Sequence, residues 1–331
     1  MRLQRLGFAF VLIPLVAAVG AKAQSLSPQC TDPAIIGPGA VGQDACQKVI
    51  DLYSYVNAQL GTLVAGGNPT LGQGGTLGGF GHFALTLRGN AMSAGAPQVN
   101  DIQVHAGAAG APEQIPVRGQ FVAFPTADLA VGLFGGFPVG LTRLFGLDLL
   151  LTGTYIPTLQ SNQLRLESAG STFHVGYGAR LGILQESALV PGLAVSWVRR
   201  DLPSLTLDGN ANGDSLGLRD YRVTTTAWRV TASKRFAIVG VAAGLGEDRY
   251  GADAGVTYNV QGNRPPSGTF PLSTAVTRFM YFGDVSIGLG LLQLVGEVGR
   301  VHGGGVTTYN LFSPGASAPR TYYALGIRLG L

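Results

Sequence analysis

In the stretch FHVGYGARLGI, residues 173–183, apolar side chains alternate with small or polar ones. Every second position from Phe173 to Ile183 is apolar, whereas the positions between them hold histidine, glycine and Arg180. Successive side chains of a β-strand point to opposite faces of the sheet. The stretch therefore predicts a strand with one apolar face and one small or polar face.

Nine further runs with the same two-residue period are found along the chain. They cover residues 83–88, 120–135, 145–156, 192–206, 221–233, 236–247, 274–288, 291–302 and 320–331. The connections are alternately short, as at Lys234-Arg235, and long, as at residues 303–319. This arrangement predicts an all-β, transmembrane, antiparallel up-and-down β-barrel of about ten strands. Twelve strands are the alternative, if residues 98–106 or 252–261 add a pair.

The composition agrees with a membrane-embedded barrel. The chain is 46% hydrophobic and only 12% charged, against roughly 25% charged residues in soluble domains. Beyond residue 23 it has no run of 18 apolar residues, which excludes a transmembrane helix at the sequence level. A closed barrel is then the one remaining way to satisfy a backbone in lipid.

The first 23 residues have the pattern of a secretory signal peptide. Arg2 and Arg5 precede an apolar run, which ends at the small-residue site Ala21-Lys22-Ala23. Without this peptide three positive charges are lost, so the net charge falls from +4 to about +1. We therefore expect an exported protein with no nucleic-acid partner.

Residues 24–77 form a separate segment before the barrel, which we assign to residues 78–331. Cys30 and Cys46 predict a disulfide in an oxidising compartment. The apolar spacing over about residues 44–64 predicts a helix, and a flexible glycine-rich linker follows it. The segment could plug the barrel or lie in the periplasm. A helix about 10 Å across would crowd a ten-strand lumen, which favours the periplasm or partial entry.

Residues 78–331 resemble a bacterial outer-membrane β-barrel, although no narrower family is recognised. The last strand, from Tyr322 to Leu331, is similar to the C-terminal signal that such proteins present to the barrel assembly machinery. Leu331 departs from the usual terminal aromatic residue. The resemblance implies location in the bacterial outer membrane, contact with its lipid and recognition by the assembly machinery.

The inward face of the predicted strands carries both signs of charge. These residues are Arg88, Asp128, Asp148, Arg180, Arg200, Arg229, Arg278, Asp284, Glu297 and Arg328. Buried charges are normally paired, so the sequence favours a structural barrel or a small passive channel with a lumenal charge network. The alternative is a transporter of a hydrophobic ligand gated by the N-terminal helix.

Catalysis and metal binding have weaker support. A hydrolase at the rim is a third function, but no nucleophile motif accompanies the histidines, so no catalytic residue is assigned and an enzyme is not expected. No cofactor is predicted apart from calcium as an alternative. The candidate ligands Asp208, Asn210, Asn212 and Asp214 match the first half of a calcium loop, but the bidentate glutamate is missing.

Overall fold

Alternating apolar and polar residues form ten long strands in the computed structural model. The structure describes residues 25–156, 159–160, 165–168, 173–202, 204–211, 214–259 and 270–330, so the predicted signal peptide lies outside the described residues. The strands are β1 (Phe83–Pro97), β2 (Val117–Phe134), β3 (Gly146–Tyr155), β4 (Phe173–Leu184), β5 (Gly192–Asp201), β6 (Asp214–Phe236), β7 (Val239–Asn259), β8 (Phe270–Leu289), β9 (Leu292–His302) and β10 (Arg320–Gly330).

The ten strands form one closed ring. Each strand pairs antiparallel with the next in the chain, and β10 pairs back with β1, where Gly330 lies opposite Ala84. A closed ring leaves no edge strand, so the backbone is satisfied inside a lipid environment. The predicted ten-stranded antiparallel barrel is confirmed. Residues 252–259 continue β7 and do not form the extra pair of a twelve-stranded barrel.

The two faces of the wall differ in polarity. On β4, Phe173, Val175 and Tyr177 are 51%, 63% and 50% exposed on the outside, whereas Arg180 is 1% exposed and points inward. Across the neighbouring strands, Trp197 packs near both Tyr177 and Trp228. The outside is thus a continuous apolar and aromatic surface of the kind that faces lipid.

Short turns and long loops lie at opposite ends of the barrel. The short turns cover residues 135–145, 185–191, 237–238 and 290–291, and the long loops are the connections from β1 to β2, β3 to β4, β5 to β6, β7 to β8 and β9 to β10. β6 continues past the predicted turn at Lys234-Arg235, and the chain reverses at Ala237, which has a φ of 52°. We call these the short-turn end and the long-loop end.

Several short strands extend the connections. A hairpin joins Phe137–Val139 to Thr142–Leu144, and a parallel pair joins Gln114–Ile115 to Leu311–Phe312. Beyond β6 the sheet continues through Leu205–Ala211, Arg165–Ser168 and Leu159–Gln160. All of these short strands except the hairpin at residues 137–144 therefore lie in the long connections.

The N-terminal segment contains four helical pieces and the predicted disulfide. They are the 3-10 turns Pro28–Thr31 and Pro38–Ala40, the short helix α1 (Pro33–Ile36) and the long helix α2 (Gln43–Ala65). The disulfide joins Cys30 to Cys46 at the start of α2. Among the described residues, no helix is long and apolar enough to cross a membrane.

The helix α2 lies inside the barrel. Near its first turns, Lys48 contacts Glu113 and Asp51 contacts Asn310, both of which belong to long loops. After α2 the chain continues to Thr76, which donates to Gln185 in a short turn. Residues 25–79 thus run through the lumen from the long-loop end to the short-turn end, and we call them the plug.

This position differs from the periplasmic placement that the width of a helix favours. The helix fits inside the barrel because glycines on the helix and on the wall leave space for side chains of the other. At Gly61 of α2, an added Cβ would lie 2.4 Å from the ring of Tyr250, and at Gly95 of β1 it would lie 2.1 Å from the Tyr55 hydroxyl. Glycine on the helix admits a wall tyrosine, and glycine on the wall admits a helix tyrosine.

Candidate functional site

All ten charged residues singled out in the sequence lie inside the barrel, and none is more than 6% exposed. Two of the arginines form ion pairs within this set. Arg88 Nε lies 2.8 Å from Asp128 Oδ2, and an Arg180 guanidinium nitrogen lies 2.6 Å from Asp148 Oδ2. Because the partners are on neighbouring strands, each ion pair links two adjacent strands of the barrel wall.

A third ion pair includes a residue that the sequence did not single out. Arg229 lies 2.5 Å from Asp248, which is fully buried on β7. The predicted strand ended at residue 247, one position before this carboxylate. The two-residue period through Gly244 and Gly246 would have placed Asp248 on the inner face had it been followed further.

The arginines also hold the backbone of the plug at the C-terminal end of α2. Arg200 donates to the Ala65 carbonyl at 2.7 Å, and Arg229 donates to the Gly66 carbonyl at 2.9 Å. The last carbonyls of a helix have no partner within the helix and carry partial negative charge. Two cationic donors of the wall therefore satisfy and stabilise this helix end.

Beyond α2, the wall binds both kinds of backbone group at Asn68. Arg88 donates to the Asn68 carbonyl at 2.8 Å, and the Asn68 N–H donates to Glu297 at 2.9 Å. The Asn68 side chain donates to Asp284 at 2.8 Å. Asp284 and Glu297 lie opposite each other on β8 and β9, so Asn68 links two adjacent carboxylates. Sequence reasoning missed Asn68 because its two carboxylate partners are more than 200 residues away.

Carboxylates receive further N–H groups toward the short-turn end. The Gly72 N–H donates to Asp284 at 2.9 Å, and the Leu77 N–H donates to Asp148 at 3.2 Å. The Thr70 hydroxyl accepts from Arg180 at 2.5 Å. The charges of the wall thus complement a backbone that forms neither helix nor strand, with arginines at its carbonyls and carboxylates at its amides.

The glycine-rich residues 66–79, which we call the glycine segment, are packed against this wall and do not form the flexible linker that their composition predicts. At Gly67 an added Cβ would lie 1.6 Å from Glu297 Oε1, and at Gly74 it would lie 2.6 Å from the Ser233 backbone nitrogen. At Gly74 the two backbones approach too closely for any side chain, and at Gly67 the space is taken by the side chains of Glu297 and Tyr322.

Aromatic packing surrounds α2 in the other half of the lumen. The Tyr53 hydroxyl donates to the Ala252 carbonyl at 2.6 Å, and its ring packs edge-on against Tyr221, with centroids 5.7 Å apart. The Tyr55 ring stacks on Phe312 of a long loop at 4.2 Å. A helix satisfies its own backbone hydrogen bonds, so the wall around it can be apolar.

An ionic cluster joins α2 to the first long loop. Lys48 Nζ lies 2.8 Å from Asp44 and 2.9 Å from Glu113, and it also donates to the Gln103 carbonyl. The hydrogen bond from Lys48 lowers the pKa of the Glu113 carboxyl below its ordinary value. His105 lies 3.4 Å from the other oxygen of Glu113. This cluster fixes the loop over the beginning of the helix.

The candidate calcium ligands fall on a hairpin. The segment Leu205–Ala211 pairs with the start of β6, with Asp208 opposite Gly217 and Ala211 opposite Asp214. Asn212 and the other three side chains of the candidate set lie outside the described residues. Within the described part of the chain, no group of three or more histidine, cysteine, aspartate or glutamate side chains is arranged to hold a metal ion.

His105, His82 and His302 have polar contacts with different partners. His105 contacts Glu113 as above, His82 contacts the Gly79 carbonyl at 3.3 Å, and His302 contacts the Tyr281 hydroxyl at 3.4 Å. These three contacts lie at different parts of the barrel and do not form one constellation.

No protein-family model and no curated protein matches the chain. Solved outer-membrane barrels are similar in fold. The outer membrane protease OmpT from Escherichia coli is 8% identical, with a TM-score of 0.37 over 76% of this chain and 96% of that chain. A mutant of the monoaromatic hydrocarbon channel TodX is 10% identical, with a TM-score of 0.31 over 76% and 66%. The outer membrane channel DcaP of Acinetobacter baumannii is 12% identical, with a TM-score of 0.19 over 79% and 100%. At these identities the likeness concerns the barrel fold alone.

Proposed function

We propose that the protein is an integral outer-membrane barrel, exported by its signal peptide, whose own N-terminal segment closes the lumen. One observation carries this proposal. The buried charges of the wall are engaged with the backbone of the plug, because Arg200, Arg229 and Arg88 donate to the carbonyls of residues 65, 66 and 68. The protein is thus a structural barrel at rest, and it conducts ions only when the plug moves.

The energetics favour the closed state. Removing the plug would leave several buried charges without their hydrogen-bond partners, and each such loss costs about 1–3 kcal/mol or more unless water replaces it. Arg278 adds a contact of the same kind, because it donates to the Ala58 carbonyl and to Ala318 of a long loop. Opening therefore requires many contacts to be replaced together.

Conductance in planar lipid bilayers tests the proposal. We expect the refolded full-length protein to be closed, with at most rare small openings. Replacing both Arg200 and Arg229 by methionine removes two donors from the end of α2 and should increase the open time. The matched control replaces the exposed Arg249 and Arg300. A large steady conductance of the unmodified protein would contradict the closed-barrel function.

The orientation has a separate consequence. Short turns face the periplasm in outer-membrane barrels, so the disulfide and residues 25–42 would lie at the cell surface. The last strand, residues 322–331, would be the segment that the assembly machinery recognises. An impermeant amine reagent on intact cells should then fail to modify Lys234, which lies beside the short turn at residues 185–191. Labelling of Lys234 on intact cells would reverse this orientation.

Gating for a hydrophobic ligand has less support from the geometry. The apolar half of the lumen is already filled by α2, and the other half is lined by buried charges. An apolar ligand would have to replace the helix and then pass the arginines and carboxylates. The closed structural barrel is therefore the function that we retain.

A further inference from the structure

A cavity of about 410 Å³ opens at the short-turn end, beside the last residues of the glycine segment. Its polar lining includes Arg235, Arg328, Gln293 and His82. The cavity lies outside the network that holds the plug, except that Arg328 also donates to the Gln73 side chain. Among the described residues, its lining contains no aspartate or glutamate, so the charged side chains that line it are cationic.

Arg328 is the most informative of these residues. It is 6% exposed, yet its Nη1 nitrogen has no hydrogen-bond partner among the described residues. The charges that act on it are those of Arg180, Arg235 and Asp148, and Asp148 is already paired with Arg180 at 2.6 Å. A buried guanidinium nitrogen without an acceptor is costly, so this position is suited to an anionic ligand.

Arg235 supplies a second cation to the same cavity. It lies exposed at the end of β6, and among the described residues it has no carboxylate within ion-pair distance. Glu186 is nearby, but its oxygens accept from the Arg235 backbone N–H and from Ser233. Two arginines facing one space can bind the oxygens of a phosphate with their planar, charged donors.

The rim of the cavity is apolar, which indicates the kind of phosphate. Ile238, Leu291 and Leu292 are 63%, 62% and 47% exposed, and they surround the opening at two neighbouring short turns. Apolar side chains on turns beside cationic side chains match the boundary between acyl chains and headgroups. A free inorganic phosphate has no part that would contact these residues.

We propose that Arg235 and Arg328 bind the phosphate of a phospholipid headgroup at the short-turn end, with the acyl chains lying against Ile238 and Leu292. The site binds lipid from the leaflet on that side of the membrane. This inference rests on the proposed membrane location, but the phosphate contact can be tested in detergent without a bilayer.

The test measures binding of dihexanoyl-phosphatidylglycerol, below its micelle concentration, to the refolded full-length protein by calorimetry. Arg235→Gln and Arg328→Gln should each weaken binding at least tenfold. Arg143→Gln removes the same charge from another turn at the same end and should leave binding unchanged. Because Arg328 is buried, the heat-modifiable gel shift first establishes that each variant is folded, and the exposed Arg235 provides the decisive comparison.

The remaining outcomes overturn the inference in distinguishable ways. Equal weakening by Arg143→Gln would show general electrostatic attraction and no site. Inorganic phosphate that binds as tightly as the lipid would assign the site to free phosphate. Unchanged binding in a folded Arg235→Gln variant would exclude the site altogether. Failure of the protein to insert into phospholipid vesicles would contradict the membrane location, independently of the calorimetry.

Discussion

The wall encloses the plug with different kinds of side chain in the two halves of the lumen. Around α2 the wall contributes aromatic and aliphatic side chains, such as Tyr221 against Tyr53. Around the glycine segment it contributes arginines and carboxylates, such as Arg88 and Asp284. The wall itself is the same set of strands in both halves, so the difference must come from what each half encloses.

The polarity of the wall side chains therefore matches the hydrogen-bonding state of the backbone that they enclose. A helix interior presents no free N–H or C=O group, and apolar side chains can enclose it. The glycine segment forms neither helix nor strand, so most of its backbone groups have no partner within the segment, and each one that is buried must find a partner elsewhere. The charged half of the wall supplies those partners.

The largest effect is expected in the charged half. Arg229→Met would leave Asp248 as a buried unpaired carboxylate and the Gly66 carbonyl without its donor. We expect the free energy of unfolding to fall by about 3–5 kcal/mol, measured by urea unfolding in lipid vesicles. The control Arg249→Met breaks a pair whose arginine side chain is 67% exposed, and it should change stability by less than about 0.5 kcal/mol. Similar losses in both variants would remove the distinction between buried and exposed pairs.

In the helical half, Leu63→Ala should act through the cavity that it creates. Leu63 is 3% exposed within the core around α2, so we expect a loss of about 2–4 kcal/mol in the same unfolding assay. This loss should not change with ionic strength, because no charge is involved. Leu189→Ala, at a residue that is 77% exposed, is the matched control and should be nearly neutral. A neutral Leu63→Ala would mean that the helix is loosely packed.

Within the glycine segment, two glycine-to-alanine substitutions should differ in their effect on stability. Gly67→Ala places a Cβ against Glu297 and the Tyr322 hydroxyl and should cost about 1–3 kcal/mol by overpacking. At Gly75 the nearest atom to an added Cβ is 3.4 Å away, so Gly75→Ala should be tolerated. Thermal unfolding of the two variants compares them directly, and equal effects would show that the segment moves freely.

The smallest effect concerns pH at the cluster beside α2. Lys48 lowers the pKa of Glu113, so this contact stabilises the folded state at neutral pH and is lost as the pH falls below about 4. Because the Glu113 side chain is 44% exposed, the contribution should stay under about 1 kcal/mol. Asp44 also contacts Lys48, so the comparison of unfolding at pH 6 and pH 3 must include Glu113→Gln. That variant should lose part of the pH dependence, and an unchanged pH dependence would contradict this role.

The strands could be predicted from the sequence because their signal is local. The two-residue period gave ten strands, and the structure has ten, with Tyr177 outside and Arg180 inside. Strand ends were less predictable. The prediction ended β7 at residue 247, whereas the strand continues to Asn259, so Asp248 was missed by one position.

A plug was one of two placements open for the N-terminal segment, but its contacts could not be predicted, because most of the partners are distant in sequence. Nothing within residues 66–79 shows that Glu297 and Asp284 will accept the Asn68 groups. The same glycines that permit close approach to the wall are typical of flexible linkers. Only the register of the closed barrel brings these residues together.

The threading of the plug constrains how the molecule can be made. The chain passes through the whole lumen, from the disulfide at one end to Phe83 at the other, and then becomes β1, which pairs with the last strand, β10. If the ring closed first, the disulfide-linked loop would have to be drawn through a finished pore. If the sheet curls around the segment and the β1–β10 seam closes last, no threading is required. The barrel then forms around the plug. Once the seam between β1 and β10 has closed, the plug cannot leave the lumen unless that seam reopens.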